Sequence, residues 1–391
     1  MTESSSPDCR WVRCSQGMIS ATLVLFFFLS FNTTSTAAVK PETAIPLDRK
    51  IGQMLLVGFR GTALADDHVI LRDIRRHHLG GVILFDYDVV FQQTDRNIRT
   101  PVQLKRLIAT LQDTATMPLL VAVDQEGGRV ARLKPAHGFA PTPSHAELGI
   151  RDDLQATYAA GKNVAATLAE MGINTNLAPV VDLCVNPDSP VIARLERCFS
   201  DQPDLVIRHA QQFVQAHQDH GVISVIKHFP GHGSSQTDSH LGFVDVSASW
   251  TPAELSPYVG LFRSGGVHAV MTAHVFNANL DADHPATLSH PTITGILRNQ
   301  LDFDGVVISD DLQMGAITEH YGLEQAVRLA LEAGVDILLF GNNLDYDPEI
   351  VSRVTDMIRD LVATGVISEG RIDESYRRIM QLKGVVLARE E

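Results

Sequence analysis

The chain has 391 residues, of which 45% are hydrophobic and 20% are charged, so a sizeable core is available and global disorder is excluded. Acidic residues outnumber basic ones by 46 to 32, which gives a net charge of −14. A chain this acidic, with no basic run, is neither a general nucleic-acid binder nor a protein that docks on anionic membranes. These values predict a soluble globular enzyme or binding protein built as one domain.

The N-terminal segment has the three regions of a secretory signal peptide. Arg10 and Arg13 precede an apolar block at Met18–Phe31, and a run of small residues follows. We therefore expect residues 1–38 to be a cleaved signal peptide and residues 39–391 to be the mature protein, exported to the periplasm or secreted. An uncleaved membrane anchor is the alternative, but the apolar block is shorter than the ~20 residues that span a bilayer.

Export also changes how the cysteines are interpreted. Cys9 and Cys14 leave with the signal peptide, and Cys184 and Cys198 remain. An oxidising compartment permits these two to form a disulfide. Two unconnected thiols are the equal alternative, because the sequence does not show the distance between them.

Short apolar runs with strand character alternate with amphipathic stretches at helical spacing throughout the rest of the chain. The predicted strands are Met54–Phe59, Gly81–Phe85, Leu119–Val123, Asn176–Val181, Ile223–Ile226, Ala269–Ala273, Val306–Ser309 and Ile337–Gly341. The helical stretches include Leu154–Met171, Leu205–His220 and Leu323–Ala333, and two more helices at roughly 348–363 and 369–387 end the chain. Eight strand–helix units predict an α/β fold, a single (β/α)8 TIM-type barrel with extra C-terminal helices.

Polar residues follow six consecutive predicted strands. They are Asp124, Asp182, Lys227 with His228, His274, Asp310 with Asp311, and Asn342. The carboxyl ends of barrel strands converge on one face, where active sites of this fold are built. We therefore expect these side chains to surround one cavity.

The segment Lys227-His-Phe-Pro-Gly-His-Gly-Ser-Ser-Gln-Thr-Asp-Ser-His240 carries the densest set of ionisable groups. Asp238 is two residues before His240, close enough for its carboxylate to orient the imidazole, which predicts a proton-transfer dyad. The alternative is a zinc site made from His228, His232, Asp238 and His240. Barrel metallohydrolases usually place a His-x-His pair after the first strand, where this chain has Val57-Gly-Phe-Arg60, and this disfavours the metal site.

Two further segments carry candidate chemistry. In Gly305-Val-Val-Ile-Ser-Asp-Asp-Leu312 an apolar strand runs straight into Asp310, which suits nucleophilic attack on a sugar C1. Helix capping by Asp310 or Asp311 is the alternative, and one carboxylate can cap while the other faces the cavity. In Val123-Asp-Gln-Glu-Gly-Gly-Arg-Val-Ala-Arg132, an aspartate with nearby arginines suits the binding of vicinal hydroxyls or a carboxylate. An ion pair at the surface or at the strand end is the equal alternative for Arg129.

These three segments resemble the family 3 glycoside hydrolases, and within them the β-N-acetylhexosaminidase branch of the peptidoglycan-recycling type. The resemblance covers nearly the whole mature chain. It rests on Lys227-His-Phe-Pro-Gly-His-Gly with Asp238-Ser-His240, on Asp124-Gln-Glu-Gly-Gly-Arg, and on Ser309-Asp-Asp-Leu. It implies a single (β/α)8 catalytic barrel and a retaining mechanism without a metal or other cofactor.

The resemblance also implies residue roles. Asp310 corresponds to the nucleophile, His240 to the acid/base and Asp238 to its dyad partner. The positions that match sugar-binding residues are Asp124, Arg132, Arg197, Lys227 and His228. Arg197 lies in a segment at 191–199 that is slightly longer than the family pattern and also contains Arg194. Arg132, Arg197 and Lys227 are expected to concentrate positive charge at the mouth of the barrel.

Together these features predict a monomeric exo-β-N-acetylglucosaminidase that acts on peptidoglycan-derived or chitooligosaccharide fragments. The predicted partner is a small carbohydrate with a terminal N-acetylglucosamine, with no nucleic acid and no membrane. Two other classes stay open. A metal-dependent barrel hydrolase would lose activity on chelation, and a non-catalytic sugar-binding barrel would have lost the nucleophile or the dyad, whereas Asp310, Asp238 and His240 are all present.

Overall fold

The computed structural model describes residues 45–239 and 242–387. The predicted signal peptide and His240 lie outside the described residues.

Eight parallel strands form a barrel, as the sequence predicts. In chain order they are β1 (Leu55–Gly58), β2 (Gly81–Ile83), β3 (Leu120–Val123), β4 (Thr175–Asn176), β5 (Ile223–Phe229), β6 (Ala269–Thr272), β7 (Val306–Ile308) and β8 (Leu338–Phe340). From β1 to β7 each strand pairs in parallel with the next along the chain, and β8 pairs in parallel with β1. A bridge between Ile308 and Ile337 joins β7 to the start of β8 and brings the ring to closure. Every residue of these strands is buried, as expected for strands covered on both faces.

Helices surround the barrel. They are α1 (Leu47–Gln53), α2 (Val69–Arg76), α3 (Pro101–Thr114), α4 (His145–Arg151), α5 (Leu154–Met171), α6 (Pro203–Asp219), α7 (Ser256–Ser264), α8 (Gly315–Thr318), α9 (Leu323–Ala333), α10 (Ile350–Ala363) and α11 (Glu369–Leu387), with a π-helix at Pro291–Gln300. Local sequence sets several of their ends. Thr100 and Gln103 form a capping box at the start of α3, for example, with Pro101 at its first position. Within the described residues, no helix combines the length and apolar character that crossing a bilayer requires.

The structure differs from the prediction at β4 and β5. The predicted strand at 176–181 is regular only to Asn176, because Pro179 has no N–H to donate to a ladder. The predicted fifth strand continues to Phe229, since Val181 N donates to Lys227 O at 2.8 Å and Lys227 N donates to Pro179 O at 3.3 Å. Lys227 and His228 therefore belong to β5 itself and do not follow it.

Short paired segments extend beyond the barrel strands. Tyr87–Asp88 and Gln93–Thr94 pair antiparallel directly after β2, and we call residues 87–94 the rim hairpin. Val244–Asp245 pairs in parallel with Val275–Phe276 after β5 and β6.

The last helix packs against the barrel. Lys383 on α11 donates to Gln53 Oε1 at 2.6 Å and to Gly80 O at 2.8 Å, which joins α11 to the segments that lead into β1 and β2.

Candidate active site

A cavity of about 310 Å³ lies at the carboxyl ends of the strands. Eight of the residues that the sequence singles out line it: Asp124, Arg132, Arg197, Lys227, His228, His232, Asp310 and Asp311. Asp182, His274 and Asn342, which were expected to surround the same cavity, are not among its described lining residues. Asp238 is half-buried and is not among the described lining residues, although its neighbour Ser239 is. The structure thus brings the predicted nucleophile and all the predicted sugar-binding residues to one cavity, and it does not test the dyad.

Lys227 holds two carboxylates at the base of this cavity. Its Nζ atom lies 2.8 Å from Asp124 Oδ1 and 2.7 Å from Glu126 Oε1, and Lys227 is 2% exposed. Arg132 Nη2 donates to the other oxygen of Asp124 at 3.1 Å. Burial opposes ionisation, but Lys227 and Arg132 hold the pKa of Asp124 well below its usual range. An ionised Asp124 can accept hydrogen bonds from sugar hydroxyls.

Arg197 forms a bidentate pair with Glu126. Its Nε and Nη2 atoms donate to the two carboxylate oxygens at 2.8 and 2.7 Å. Burial opposes the charge of Glu126, but Arg197 and Lys227 lower the pKa of Glu126 to about 2. Arg194 points elsewhere, since its side chain is 63% exposed and pairs with Asp188. Of the two arginines in this segment, Arg197 is therefore the one in the cavity.

The prediction that positive charge is concentrated at the mouth of the barrel is wrong. Asp124 and Glu126 pair with Arg132, Arg197 and Lys227 through contacts of 2.7 to 3.1 Å. Buried charges need partners, because an unpaired ion loses its hydration without compensation. Asp86, Asp310 and Asp311 are also among the described lining residues, so five carboxylates line the cavity beside these three cations.

His228 and the following turn are held by one buried carboxylate. Asp182 Oδ2 lies 2.7 Å from His228 Nδ1, and its Oδ1 accepts from the backbone N–H groups of His228 and His232. Burial, Arg197 and Lys227 keep the pKa of His228 well below its usual value, so its imidazole is neutral. Asp182 therefore orients a neutral histidine toward the cavity.

His232 connects this turn to the segment that leads to His240. Ser235 Oγ donates to His232 O at 2.8 Å, so it accepts from His232 Nδ1–H at the same distance. His232 Nε2 then accepts from Ser239 Oγ at 3.3 Å. Glu254 supports the turn from another side, as its Oε2 accepts from Gly233 N at 3.0 Å. Hydrogen bonds thus hold the described part of this loop up to Ser239.

Asp310 and Asp311 have different contacts. Asp311 Oδ1 accepts from Gly341 N at 2.9 Å and from Gln313 N at 3.0 Å, which ties the end of β7 to the end of β8. Asp310 lines the cavity, and its Oδ1 accepts from Asp311 N at 2.8 Å. The carboxylate of Asp310 is therefore held against a backbone donor at the mouth.

Sequence reasoning missed Glu126 and assigned no role to Asp182. Glu126 is two residues after Asp124 in the segment that follows β3. A second carboxylate this close to a strand end is the sequence signal that indicates a role for Glu126 in the site. Asp182 follows a predicted strand, but only the fold shows that its carboxylate contacts Nδ1 of His228. Arg129, by contrast, is 63% exposed and lies 3.8 Å from Glu196, outside the cavity.

A disulfide closes the segment that carries Arg197. A disulfide joins Cys184 and Cys198, whose Cα atoms are 5.6 Å apart and whose separation in sequence is 14. Cys198 is 1% exposed and is adjacent to Arg197 in the chain. Of the two alternatives for these cysteines, the structure contains the paired one.

The described histidines and carboxylates that line the cavity all have partners among other protein groups. In residues 45–239 and 242–387, no group of three or more His, Cys, Asp or Glu side chains is arranged to hold a metal ion. For the described candidates of the zinc alternative, both ring nitrogens of His228 and of His232 lie within hydrogen-bond distance of protein atoms.

Comparisons with known proteins relate this geometry to a family. Residues 46–382 match the family model described as "Glycosyl hydrolase family 3 N terminal domain". A β-hexosaminidase of Tolumonas auensis is 39% identical over 281 residues, which cover 70% of this chain and 78% of that protein. β-Hexosaminidase A of Pseudoalteromonas piscicida is 30% identical over 383 residues, covering 90% of this chain and 63% of that protein.

A solved structure shows the same relationship. The β-N-acetylglucosaminidase of glycoside hydrolase family 3 from Paenibacillus sp. FPU-7 superposes with a TM-score of 0.80 at 36% identity. The superposition covers 88% of this chain and 63% of that chain. The chain thus spans 63% of the length of both this enzyme and the Pseudoalteromonas protein.

Proposed function

The chain belongs to glycoside hydrolase family 3, and on that premise we propose that it is a retaining β-N-acetylglucosaminidase. One observation carries the proposal. Asp310, at the end of β7, lines the same cavity as the buried cluster of Asp124, Lys227 and Arg197. The cavity therefore combines a nucleophile with groups that bind sugar hydroxyls.

The burial of this cluster supports exo cleavage. Lys227 and Glu126 are each 2% exposed, so the polar end of the cavity is closed by the barrel core. A closed end accepts the terminal sugar of a chain and excludes an internal one. The substrate is then a fragment that ends in β-linked N-acetylglucosamine, from peptidoglycan or a chitooligosaccharide.

The proposed chemistry has two steps. A carboxylate oxygen of Asp310 forms a bond to C1 as the bond from C1 to the departing oxygen breaks, and His240 gives that oxygen its proton. His240 then takes a proton from water, the water oxygen bonds to C1, and the bond from C1 to Asp310 breaks. Two inversions leave the sugar with its original β configuration.

The structure of the loop supports the role of the Asp238–His240 pair. Asp182 and Glu254 hold the backbone of its first turn, and His232 contacts Ser239, the residue before His240. Ser239 itself lines the cavity. In the proposed mechanism His240, the residue after Ser239 in the chain, is the acid/base, and the carboxylate of Asp238 orients its imidazole.

Export and a monomeric state belong to the same proposal. N-terminal sequencing of the exported protein should begin near residue 39, and a start near Met1 would favour an anchor. Sedimentation analysis should give the mass of one mature chain.

Hydrolysis of 4-nitrophenyl N-acetyl-β-glucosaminide by the mature chain tests the activity. Asp310→Ala should abolish turnover, and NMR should show the β-anomer of N-acetylglucosamine as the first product. Asp304→Ala is the matched control. Asp304 lies just before β7, at the end of the strand opposite to Asp310, and its side chain is 68% exposed. Equal rates for Asp310→Ala and Asp304→Ala would contradict the assignment of the nucleophile.

Chelation separates this mechanism from a metal-dependent one. The rate should be the same before and after exhaustive treatment with a chelator. A loss of activity that zinc restores would contradict the proposal.

A further inference from the structure

Exposure changes sharply across the cavity, from its polar end to the rim hairpin. Asp124 and the residues around it are buried or half-buried, whereas Tyr87 and Val89 are the most exposed of the described lining residues, at 40% and 44%. Val90 and Phe91, the next two residues, are 47% and 59% exposed. A run of exposed apolar side chains therefore begins inside the cavity and continues onto the surface. Clustered exposed apolar residues of this kind mark binding surfaces.

The rim hairpin is held in place by a buried carboxylate. Asp88 is 5% exposed, and its oxygens accept from Arg60 Nε at 2.7 Å, Arg96 Nη1 at 2.6 Å and Phe91 N at 3.0 Å. Asn343, after β8, accepts from Val89 N and donates to Tyr87 O, both at 3.1 Å. These bonds join the hairpin to segments after β1, β2 and β8.

An arginine between two rings gives the hairpin further support. The guanidinium of Arg60 lies 4.0 Å from the ring centre of Phe91 and 3.9 Å from that of Tyr346. The hairpin is therefore preorganised while its apolar side chains face solvent. Preorganised surfaces bind ligands with a smaller loss of conformational entropy.

We infer that Tyr87 and Val89 of the rim hairpin form the subsite for the leaving group of the substrate and pack against the apolar face of a second sugar ring. This inference rests on the proposed exo activity, which places the terminal sugar at the closed polar end. The remainder of the substrate must then leave past the open rim, and Tyr87 and Val89 are the most solvent-exposed described residues there.

The chemistry of the rim selects a saccharide. The C–H groups of a pyranose ring form an apolar face that packs on aromatic and aliphatic side chains, while its hydroxyls stay in water. The two carboxylates that flank Tyr87 in the chain are both paired with cations, Asp88 with Arg60 and Asp86 with Lys134. The rim thus favours a neutral sugar ring over a charged peptide as the group next to the scissile bond.

A matched pair of hairpin variants tests the inference. Val89→Ser changes a lining residue, whereas Val90→Ser makes the same change one position along, at similar exposure and outside the cavity. Hydrolysis of N,N′-diacetylchitobiose reports on both sugars, and competitive inhibition by free N-acetylglucosamine reports on the terminal sugar. Val89→Ser and Tyr87→Ala should each lower kcat/KM for diacetylchitobiose by about tenfold, the effect of losing a well-packed contact. The inhibition constant of N-acetylglucosamine should not change, and Val90→Ser should behave as the wild type.

The outcomes separate the subsite from the activity on which it depends. Unchanged kcat/KM in Tyr87→Ala and Val89→Ser would overturn the subsite, as would an equal weakening of N-acetylglucosamine inhibition. Cleavage of the nitrophenyl substrate without cleavage of diacetylchitobiose would overturn the saccharide assignment and leave the proposed function standing. A wild-type chain that cleaves neither substrate would refute the proposed function.

Discussion

Arg197 Nη2 lies 3.1 Å from Nε2 of His228, and this contact decides which ring nitrogen carries the proton. A guanidinium has donors and no acceptor, so Nε2 must accept with its lone pair. The proton of the neutral ring is therefore on Nδ1, which donates to Asp182 Oδ2 at 2.7 Å. His228 is thereby oriented and unable to act as a base at Nε2 while Arg197 is in place.

This arrangement predicts a histidine that does not titrate in the usual range. Burial, together with the charges of Arg197 and Lys227, lowers the pKa of His228 well below its ordinary value. Nitrogen-15 NMR of the imidazole should show the Nδ1–H form throughout about pH 5 to 8. Arg197→Met removes a cation and the donor at Nε2, so it should raise the pKa of His228. Titration of the wild-type ring near its ordinary pKa would contradict the assignment.

Lys227→Met should destabilise the protein strongly. The substitution keeps the apolar stem but leaves Asp124 and Glu126 without the cation that bridges them at 2.8 and 2.7 Å. Removing one partner of a buried ion pair typically costs about 3–5 kcal/mol. Urea unfolding measures this loss. Lys162→Met, on the exposed side of α5, is the matched control and should change the free energy of unfolding by less than about 0.5 kcal/mol. Equal stabilities for the two variants would show that the pairing contributes little.

The disulfide should stabilise the fold and the position of Arg197. Replacing both Cys184 and Cys198 with serine removes a crosslink across 14 positions, a change worth about 3 kcal/mol in the chain-entropy description. KM should rise as well, because Arg197 is adjacent to Cys198. Thermal and urea unfolding with and without a reductant measure the effect. The wild type in reductant should match the double variant, and the variant itself should not respond to the reductant.

Glu254 makes stability depend on pH near neutrality. Glu254 is 1% exposed. Burial is the main cause that raises the pKa of its carboxyl group to about 7, and the charge of Asp182 also raises it. The folded state then binds more protons than the unfolded state between about pH 4.5 and 7, so stability falls as pH rises through this window.

Glu254→Gln isolates this contribution. Glutamine keeps an oxygen that can accept from Gly233 N but cannot ionise. The free energy of unfolding of the wild type should fall relative to that of Glu254→Gln by up to about 3 kcal/mol between pH 5 and 8. A constant difference between the two proteins across that range would show that Glu254 does not ionise in it.

Much of the barrel follows from local sequence patterns. Apolar runs such as Leu120–Val123 and Val306–Ile308 lie within the predicted strands, and the residues that follow them reach the predicted face. The exceptions lie at β4 and β5, where pairing between Val181 and Lys227 sets the strand lengths. A strand end depends on what its neighbour offers, and a single segment does not carry that information.

The site shows the same division between sequence and tertiary structure. The polar residues at the strand ends can be read from the sequence. The alternation of strands and helices then predicts a barrel, in which the carboxyl ends of the strands lie on one face. Tertiary contacts pair Glu126 with Arg197, 71 positions along the chain, and leave Arg194 paired with Asp188. They also bring carboxylates to the cations of the cavity and neutralise them. The tertiary structure also placed the rim hairpin, through the contacts of Asp88 and Asn343, beside the cavity. The contacts of Arg197 with Glu126 and of Asn343 with Val89 join segments far apart in the chain, which come together only when the barrel forms.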